Sequence, residues 1–431
     1  MPSTPRAPGS TLAARASSPD REPVEFPSSL GAKVRGAVVN IRSTARRSRV
    51  IVAGLLTMIF VLTACGGAGT ADTDDSGGAD AASSNVPSVD ELTATGTESD
   101  PPTEGPAPAK GKSVWWVSCG MVVPDCSVPA ESAAEAAKYL GMDFRIADGR
   151  LNAEGGNVTA INTALAASPD AIIVHGIACD TIKAPLQDAK KRGIPVMGVE
   201  TLDCDVDDPG NEANNLFTAD MQYADDAITS EDYFATWGRQ LAYYLIAKTG
   251  GEAKLLNLAG QSNPNIFIGT AFLEAIDQEC GGCDIVENIE YLQSEQVPNG
   301  PMIQRFRTAL VRHPEATAVN FESGANAGGL GGAQEAYQTN PALITVSGTG
   351  LAPELDLVRD GKLTAVIAHS SEWMGYAAMD NINRQLQGED AVPQGLGFRA
   401  VDAEHNLPDE GMTYQTPIDF VSAYKKLWGV S

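Results

Sequence analysis

Two spacings of apolar residues alternate along the chain from Ser113 onward. Runs such as "SVWWVS", "MDFRIAD", "AIIVHG" and "IPVMGVE" are short, rich in β-branched and aromatic residues, and read as strands. Between them lie stretches with a period near 3.6. "SVPAESAAEAAKYLG" places Ala130, Ala133, Ala137 and Leu140 on one face, with Ser127 as the expected cap and Gly141 as the stop. "NVTAINTALAASPD" ends at Ser168-Pro169, and "CDTIKAPLQDAKKRG" has Asp180 as its candidate cap and Lys190, Lys191 and Arg192 in its last turn. Because "AIIVHG" has no polar face, it predicts a strand covered on both sides, as a parallel sheet requires.

The rhythm restarts after the polar loop "NEANNLFTADMQYADDAITSED". A helix over "YFATWGRQLAYYLIAKTGG" leads to the strands "KLLNLAG", "DIVENIEYL", "ATAVNFES", "LITVSG" and "LTAVIAHS". The helices "IFIGTAFLEAIDQE", "MIQRFRTALVRHP", "GGLGGAQEAYQ", "PELDLVRDGK" and "EWMGYAAMDNINRQLQGE" separate them, and "PIDFVSAYKKLWG" is the last. About 320 residues from Ser113 exceed what one hydrophobic core usually serves. The expected fold is therefore α/β, with two doubly wound parallel-sheet lobes.

The N-terminal part has a different pattern. Thirteen uncharged residues, Val50 to Leu62, follow "ARRSR", too few for a bilayer-spanning helix but suited to an export signal. Leu62-Thr63-Ala64-Cys65 resembles the bacterial lipobox, in which cleavage before the cysteine frees it to carry lipid. Residues 1–64 are thus expected to be an extension plus signal peptide, and Cys65 the lipidated first residue on the extracytoplasmic face of the cell membrane. Residues 66–112 hold nine acidic and two basic residues among Gly, Ala, Ser, Thr and Pro, so 65–112 is expected to be a disordered acidic tether.

Without residues 1–64 the chain has 21 basic and 52 acidic residues, a formal charge of −31, which disfavours nucleic acid as a partner. Six cysteines remain besides Cys65, and an even number in an exported chain suggests disulfides. Cys179 and Cys204 follow neighbouring strands and are expected to pair. "CGGC" at Cys280 to Cys283 follows a helix instead of opening one, which favours a turn disulfide over a redox dithiol. No second cysteine pair at matching spacing points to a metal. There is no G-x-S-x-G elbow, HExxH or P-loop, so no catalytic residue and no cofactor are expected.

In open parallel sheets, ligands bind beyond the carboxyl ends of the strands. Those ends offer Cys119 and Met121, His175, Glu200 and Thr201 in the first lobe. In the second they offer Asn263, Asn265 and Phe267, then Tyr291, Glu322 and Thr349, with His369 where the chain should cross back.

The order of "SPDAIIVHG", "APLQDAKKRGIPVMGVE", "IGTAFLEAI", "RFRTALVRHPEATAV", "LAPELDLVRDGKLTAVIAH" and "DFVSAYKKLWG" resembles the ribose-type (type I) periplasmic binding proteins, solute receptors of ABC importers. The resemblance spans Ser113 to Gly429. It implies lobe I at 113–229 plus about 369–397, lobe II at 230–368 plus about 398–431, and three crossovers that act as a hinge. It also implies a monomer that takes a small-molecule ligand to a membrane permease; a sensor presenting its closed form to a receptor is the alternative. The pocket departs from the sugar-binding pattern. Where that pattern has an Arg, an Asn-Asp and an Asp, this chain has Ile266 to Ile268, "ESGAN" and "SGTG". Glu200 and His369 stand where the family often has Asp and Gln. A larger or less hydroxylated solute is as compatible with these residues as a simple sugar.

Overall fold

The structure is a computed structural model that describes residues 85–206, 211, 213–261 and 264–431. Cys65, the signal segment, the tether up to residue 84 and Asn263 lie outside the described residues.

A short helix, α1 (Val89–Ala94), opens the described chain. Four parallel strands then build the first sheet: β1 (Ser113–Ser118), β2 (Asp143–Asp148), β3 (Ala171–His175) and β4 (Val196–Val199), in the order β2-β1-β3-β4. Strand alternation sorts the two adjacent tryptophans. Val114 and Trp116 join the core under α2 (Pro124–Leu140), whereas Trp115 and Val117 join the core that holds Ile161, Leu165, Ile182 and Leu186. Those four residues belong to α3 (Gly156–Ala166) and α4 (Cys179–Arg192). Two expected caps are not used. α2 starts three residues before Ser127, with Pro124 in its first turn, and α4 starts at Cys179 with Asp180 already inside it. Proline at the first turn has no N–H to leave unpaired and its φ is preset for helix, which explains the earlier start.

The second sheet has six strands in the order β10-β9-β8-β7-β5-β6. They are β5 (Glu252–Gly260), β6 (Gly282–Tyr291), β7 (Ala318–Asn320), β8 (Ile344–Thr349), β9 (Ala365–Ala368) and β10 (Arg399–Asp402); only β10 runs antiparallel. α5 (Ser230–Thr249), entered through a Thr229/Asp232 capping box, packs with α6 (Asn265–Glu279) on one face. α7 (Pro301–Arg312) and α8 (Gly332–Thr339) cover the other face, with Met302, Ile303 and Phe306 against Leu256, Leu258 and Val319. α9 (Ala352–Arg359) joins β8 to β9.

The chain leaves lobe I after β4, returns at His369 into α10 (Ser371–Gln385), and crosses again before β10. α10 lies against α2 so closely that a Cβ on Gly375 would meet Ser132 Oγ at 2.1 Å and the Pro129 carbonyl at 2.4 Å. The last helix, α11 (Phe420–Trp428), is expected in lobe II from the resemblance and instead packs on α10 of lobe I. Trp428 Nε1 donates to Asp380 Oδ1 at 2.8 Å, and the Trp428 ring stacks on Tyr376 at 6.0 Å. An apolar face of Phe420, Tyr424 and Trp428 finds its cover on α10.

The tether expectation also fails from residue 85 on. Leu92 is buried, Thr97 N–H donates to the Phe398 carbonyl, and Glu98 pairs with Arg399 at 2.9 Å with both side chains buried. The segment then reaches α10, where Arg384 donates to the Glu104 carbonyl. It therefore runs from lobe II to lobe I. Three disulfides are present: Cys119–Cys126, Cys179–Cys204 and Cys280–Cys283, with Cα separations of 5.5, 5.3 and 5.4 Å. The last closes the turn between α6 and β6, as the sequence suggested.

Candidate ligand-binding site

The carboxyl ends of both sheets face one cleft of about 820 Å³. Lobe I lines it with Cys119, Asp125, His175, Glu200 and Thr201, and lobe II with Phe234, Trp237, Asn265, Ser323 and Thr349; His369 stands at the crossing.

Glu200 is the centre of the polar arrangement. It follows β4 directly and has φ +46°, a left-handed conformation that a residue with a side chain adopts only at a cost. Its N–H donates to Tyr223 Oη at 2.8 Å, which helps hold the bend. Glu200 Oε2 lies 3.1 Å from His175 Nε2 and Oε1 lies 3.5 Å from His369 Nε2. A carboxylate only accepts, so both facing Nε2 atoms carry protons. Burial opposes the Glu200 charge, but His369 and then His175 outweigh it, and its pKa lies below the ordinary glutamate value. Burial pushes His369 down, against the pull of Glu200. Near pH 7 the cleft therefore holds an ionised Glu200 beside a neutral His369. The Nδ1 atoms of both histidines are buried and have no partner among the described residues.

Asp125 adds a second carboxyl from the first turn of α2. Desolvation, with the Glu200 charge second, pushes it up to about 7. It makes no hydrogen bond or ion pair among the described residues. Across the cleft Trp237 is held on α5, where Gly348 leaves the space it needs: a Cβ there would sit 2.0 Å from Trp237 Nε1. That Nε1 is buried with no partner among the described residues, and the indole meets His369 edge-on at 5.3 Å.

Seven of the twelve candidate contacts thus line the cleft: Cys119, His175, Glu200, Thr201, Asn265, Thr349 and His369. Cys119 is engaged in its disulfide, and Thr201 Oγ1 donates to the Ile177 carbonyl at 2.6 Å. Met121 and Phe267 do not line the cleft; they pack against the core. Tyr291 and Glu322 are buried behind the wall, where Tyr291 donates to Glu322 Oε2 at 2.5 Å and Gly260 N–H donates to the same oxygen at 3.0 Å. Asn265 Nδ2 donates to Tyr291 Oη at 3.5 Å, so this pair steadies a lining residue without reaching the cleft. Asp125, Phe234, Trp237 and Gln296 were missed. Phe234 and Trp237, one helical turn apart, carried a signal that resembles ordinary packing. Cys179, Asp203 and Cys204 come together at the rim, but the two sulfurs are joined and Asp203 accepts three backbone N–H groups, so they do not make a metal site.

Residues 108–390 match the family described as periplasmic binding protein domain. The chain belongs to that family. The fold is similar to a glucose-galactose binding protein from Geobacillus stearothermophilus, at 21% identity and a TM-score of 0.55, covering 68% of this chain and 98% of that one. It is also similar to the periplasmic binding protein component of the arabinose ABC transporter from Shewanella sp. ANA-3, at 21% identity and a TM-score of 0.54 over 73% and 95% of the two chains. A solute binding protein of an ABC transporter from Agrobacterium vitis, bound with alpha-D-tagatopyranose, gives 16% identity and a TM-score of 0.56 over 70% and 100%. These likenesses speak to the type I periplasmic binding protein fold. Among curated proteins no relative matches by sequence.

Proposed function

We propose that this periplasmic binding protein captures a small polar solute between its lobes by hinge closure and delivers it to an ABC importer, while lipid on Cys65 holds it at the extracytoplasmic face. The observation that carries the reading is the Glu200 cluster. A carboxylate from lobe I meets a histidine at the crossing, inside a cleft whose other wall is aromatic and amide side chains of lobe II. Such a site is complete only when the lobes are near each other, so binding and closure are linked. Of the similar solved structures, one is a glucose-galactose binding protein, one is a component of an arabinose ABC transporter, and one is an ABC transporter solute binding protein with alpha-D-tagatopyranose bound, which supports the transport role.

A thermal-shift screen of sugars, amino sugars and polyols tests the binding role. A solute at 100 times its Kd stabilises the folded state by about 2.7 kcal/mol, enough to raise the midpoint by several degrees at most sizes. No shift with any solute contradicts it. Anchoring has its own test: mass spectrometry of the native protein should find acyl mass on Cys65, and Cys65→Ser should remove it.

A further inference from the structure

Resting on the reading of the cleft as a solute site, we infer that the solute carries a positively charged amine, held between the Asp125 and Glu200 carboxylates of lobe I and the Trp237 and Phe234 rings of lobe II. Four features point the same way. Among the described residues that line the cleft there is no arginine, and Lys183 on α4 is the single lysine, whereas Asp125 and Glu200 share the interior. Glu200 faces two histidines, and the neutral His369 does not cancel its charge. Asp125 has neither an ion pair nor a hydrogen bond among the described residues. His369 adds an acceptor: with its proton on the Nε2 that faces Glu200, its Nδ1, unpartnered among the described residues, offers a lone pair.

These groups ask for hydrogen-bond donors and positive charge. Two carboxylates in a partly desolvated space repel each other unless a cation enters, and the raised pKa of Asp125 is the sign of that repulsion together with burial. The opposite wall suits the same group. Trp237 and Phe234 lie one turn apart on α5 and both line the cleft, and an aromatic face attracts an ammonium through its quadrupole. An ammonium between carboxylates of one lobe and rings of the other would also link the two lobes. An anionic solute would meet like charge on entry. A neutral sugar could hydrogen-bond but would leave the two carboxylates uncompensated.

Matched hexoses test this, because they differ in charge and little else. Isothermal titration of the full-length protein with glucosamine, N-acetylglucosamine and glucose, and with the corresponding galactose set, should give binding to an amine at least 10-fold tighter than to its neutral partners. Asp125→Asn should weaken the amine by about 10-fold or more and the neutral hexoses by a smaller factor; circular dichroism confirms that the variant is folded. A neutral hexose binding as tightly as its amine overturns the inference and leaves the solute-binding reading standing. Equal amine binding by wild type and Asp125→Asn overturns the assigned role of Asp125 and with it the inference. If no member of either set binds, the inference falls, and failure of the wider thermal-shift screen as well would take the solute-binding reading with it.

Discussion

Glu200 and Glu322 stand at strand ends, one in each lobe, Glu200 after β4 and Glu322 after β7. Each follows the end of a parallel strand and each has a positive φ, at +46° and +65°; Glu322 is fully buried and Glu200 keeps 15% of its side chain exposed, and their charges differ. Glu200 faces two imidazoles and is held below the ordinary glutamate pKa. Glu322 faces a phenol and a backbone N–H, and burial, only partly offset by these hydrogen bonds, pushes it up to about 7. Neutral donors stabilise a buried carboxylate less than cationic or proton-sharing partners do. Lobe I therefore brings the permanent negative charge to the cleft, while lobe II supplies a nearly neutral, hydrogen-bonded wall. Glu354 repeats the lobe II pattern: Ser347, Gly350 and Leu351 donate to it, and burial still takes it to about 8.

The comparison is most exposed to pH. Glu322 and Glu354 have folded-state pKa values raised from 4.5 to about 7 and about 8, so between those limits the folded protein holds protons that the unfolded chain releases. Their contribution is fully present below about pH 4.5 and is lost as pH rises through 7 and 8. The change is on the order of 3 to 5 kcal/mol for each group. Urea unfolding from pH 5 to 8 should show this decline, and Glu322→Gln and Glu354→Gln should each flatten it; an unchanged slope in both variants would equalise the two lobes. Glu200 moves oppositely, since its lowered pKa contributes stability that disappears as pH falls through the acid range.

A smaller effect concerns affinity. Glu200→Gln removes the charge and keeps the shape, and should cost about 1.5 to 3 kcal/mol, or roughly 10- to 150-fold, for any solute found in the screen. Glu322→Gln should alter that affinity by less than about 3-fold, as it lies behind the wall. Calorimetry of the two variants side by side separates the lobes. Smallest is Tyr291→Phe, which removes one donor from Glu322 and should cost about 1 kcal/mol of stability in denaturant unfolding. A loss above about 3 kcal/mol would mean that the buried pair supports far more of lobe II than one hydrogen bond can.

The alternation of strands and helices was legible because each element has its own apolar period, whereas the three crossovers were implied by the family resemblance. Glu200 and His369 were legible as strand ends. Their meeting was not a local signal; the resemblance supplied it. Asp125 was hidden by a cap preference: Ser127 is the better capping residue, but Pro124 started the helix earlier and turned Asp125 into the cleft. Trp237 on a helix looks like core until the opposite wall is known. Residues 85–112 were hardest to read, because their order comes from partners far away. Glu98 finds Arg399 at a separation of 301 positions, and no local pattern in a Gly, Pro and acid-rich stretch announces such a pair. α11 shows the same limit, since its amphipathic face was clear and the lobe it covers was not.

Small-angle X-ray scattering tests most directly whether the Glu200 cluster couples solute capture to closure. The probe is the tightest-binding member of the hexose and hexosamine sets, applied at saturation to wild type and, at the same concentration, to Glu200→Gln. The account predicts a smaller radius of gyration for wild type with solute and little or no contraction for Glu200→Gln. No contraction of wild type on saturation, or the same contraction in both proteins, would contradict it.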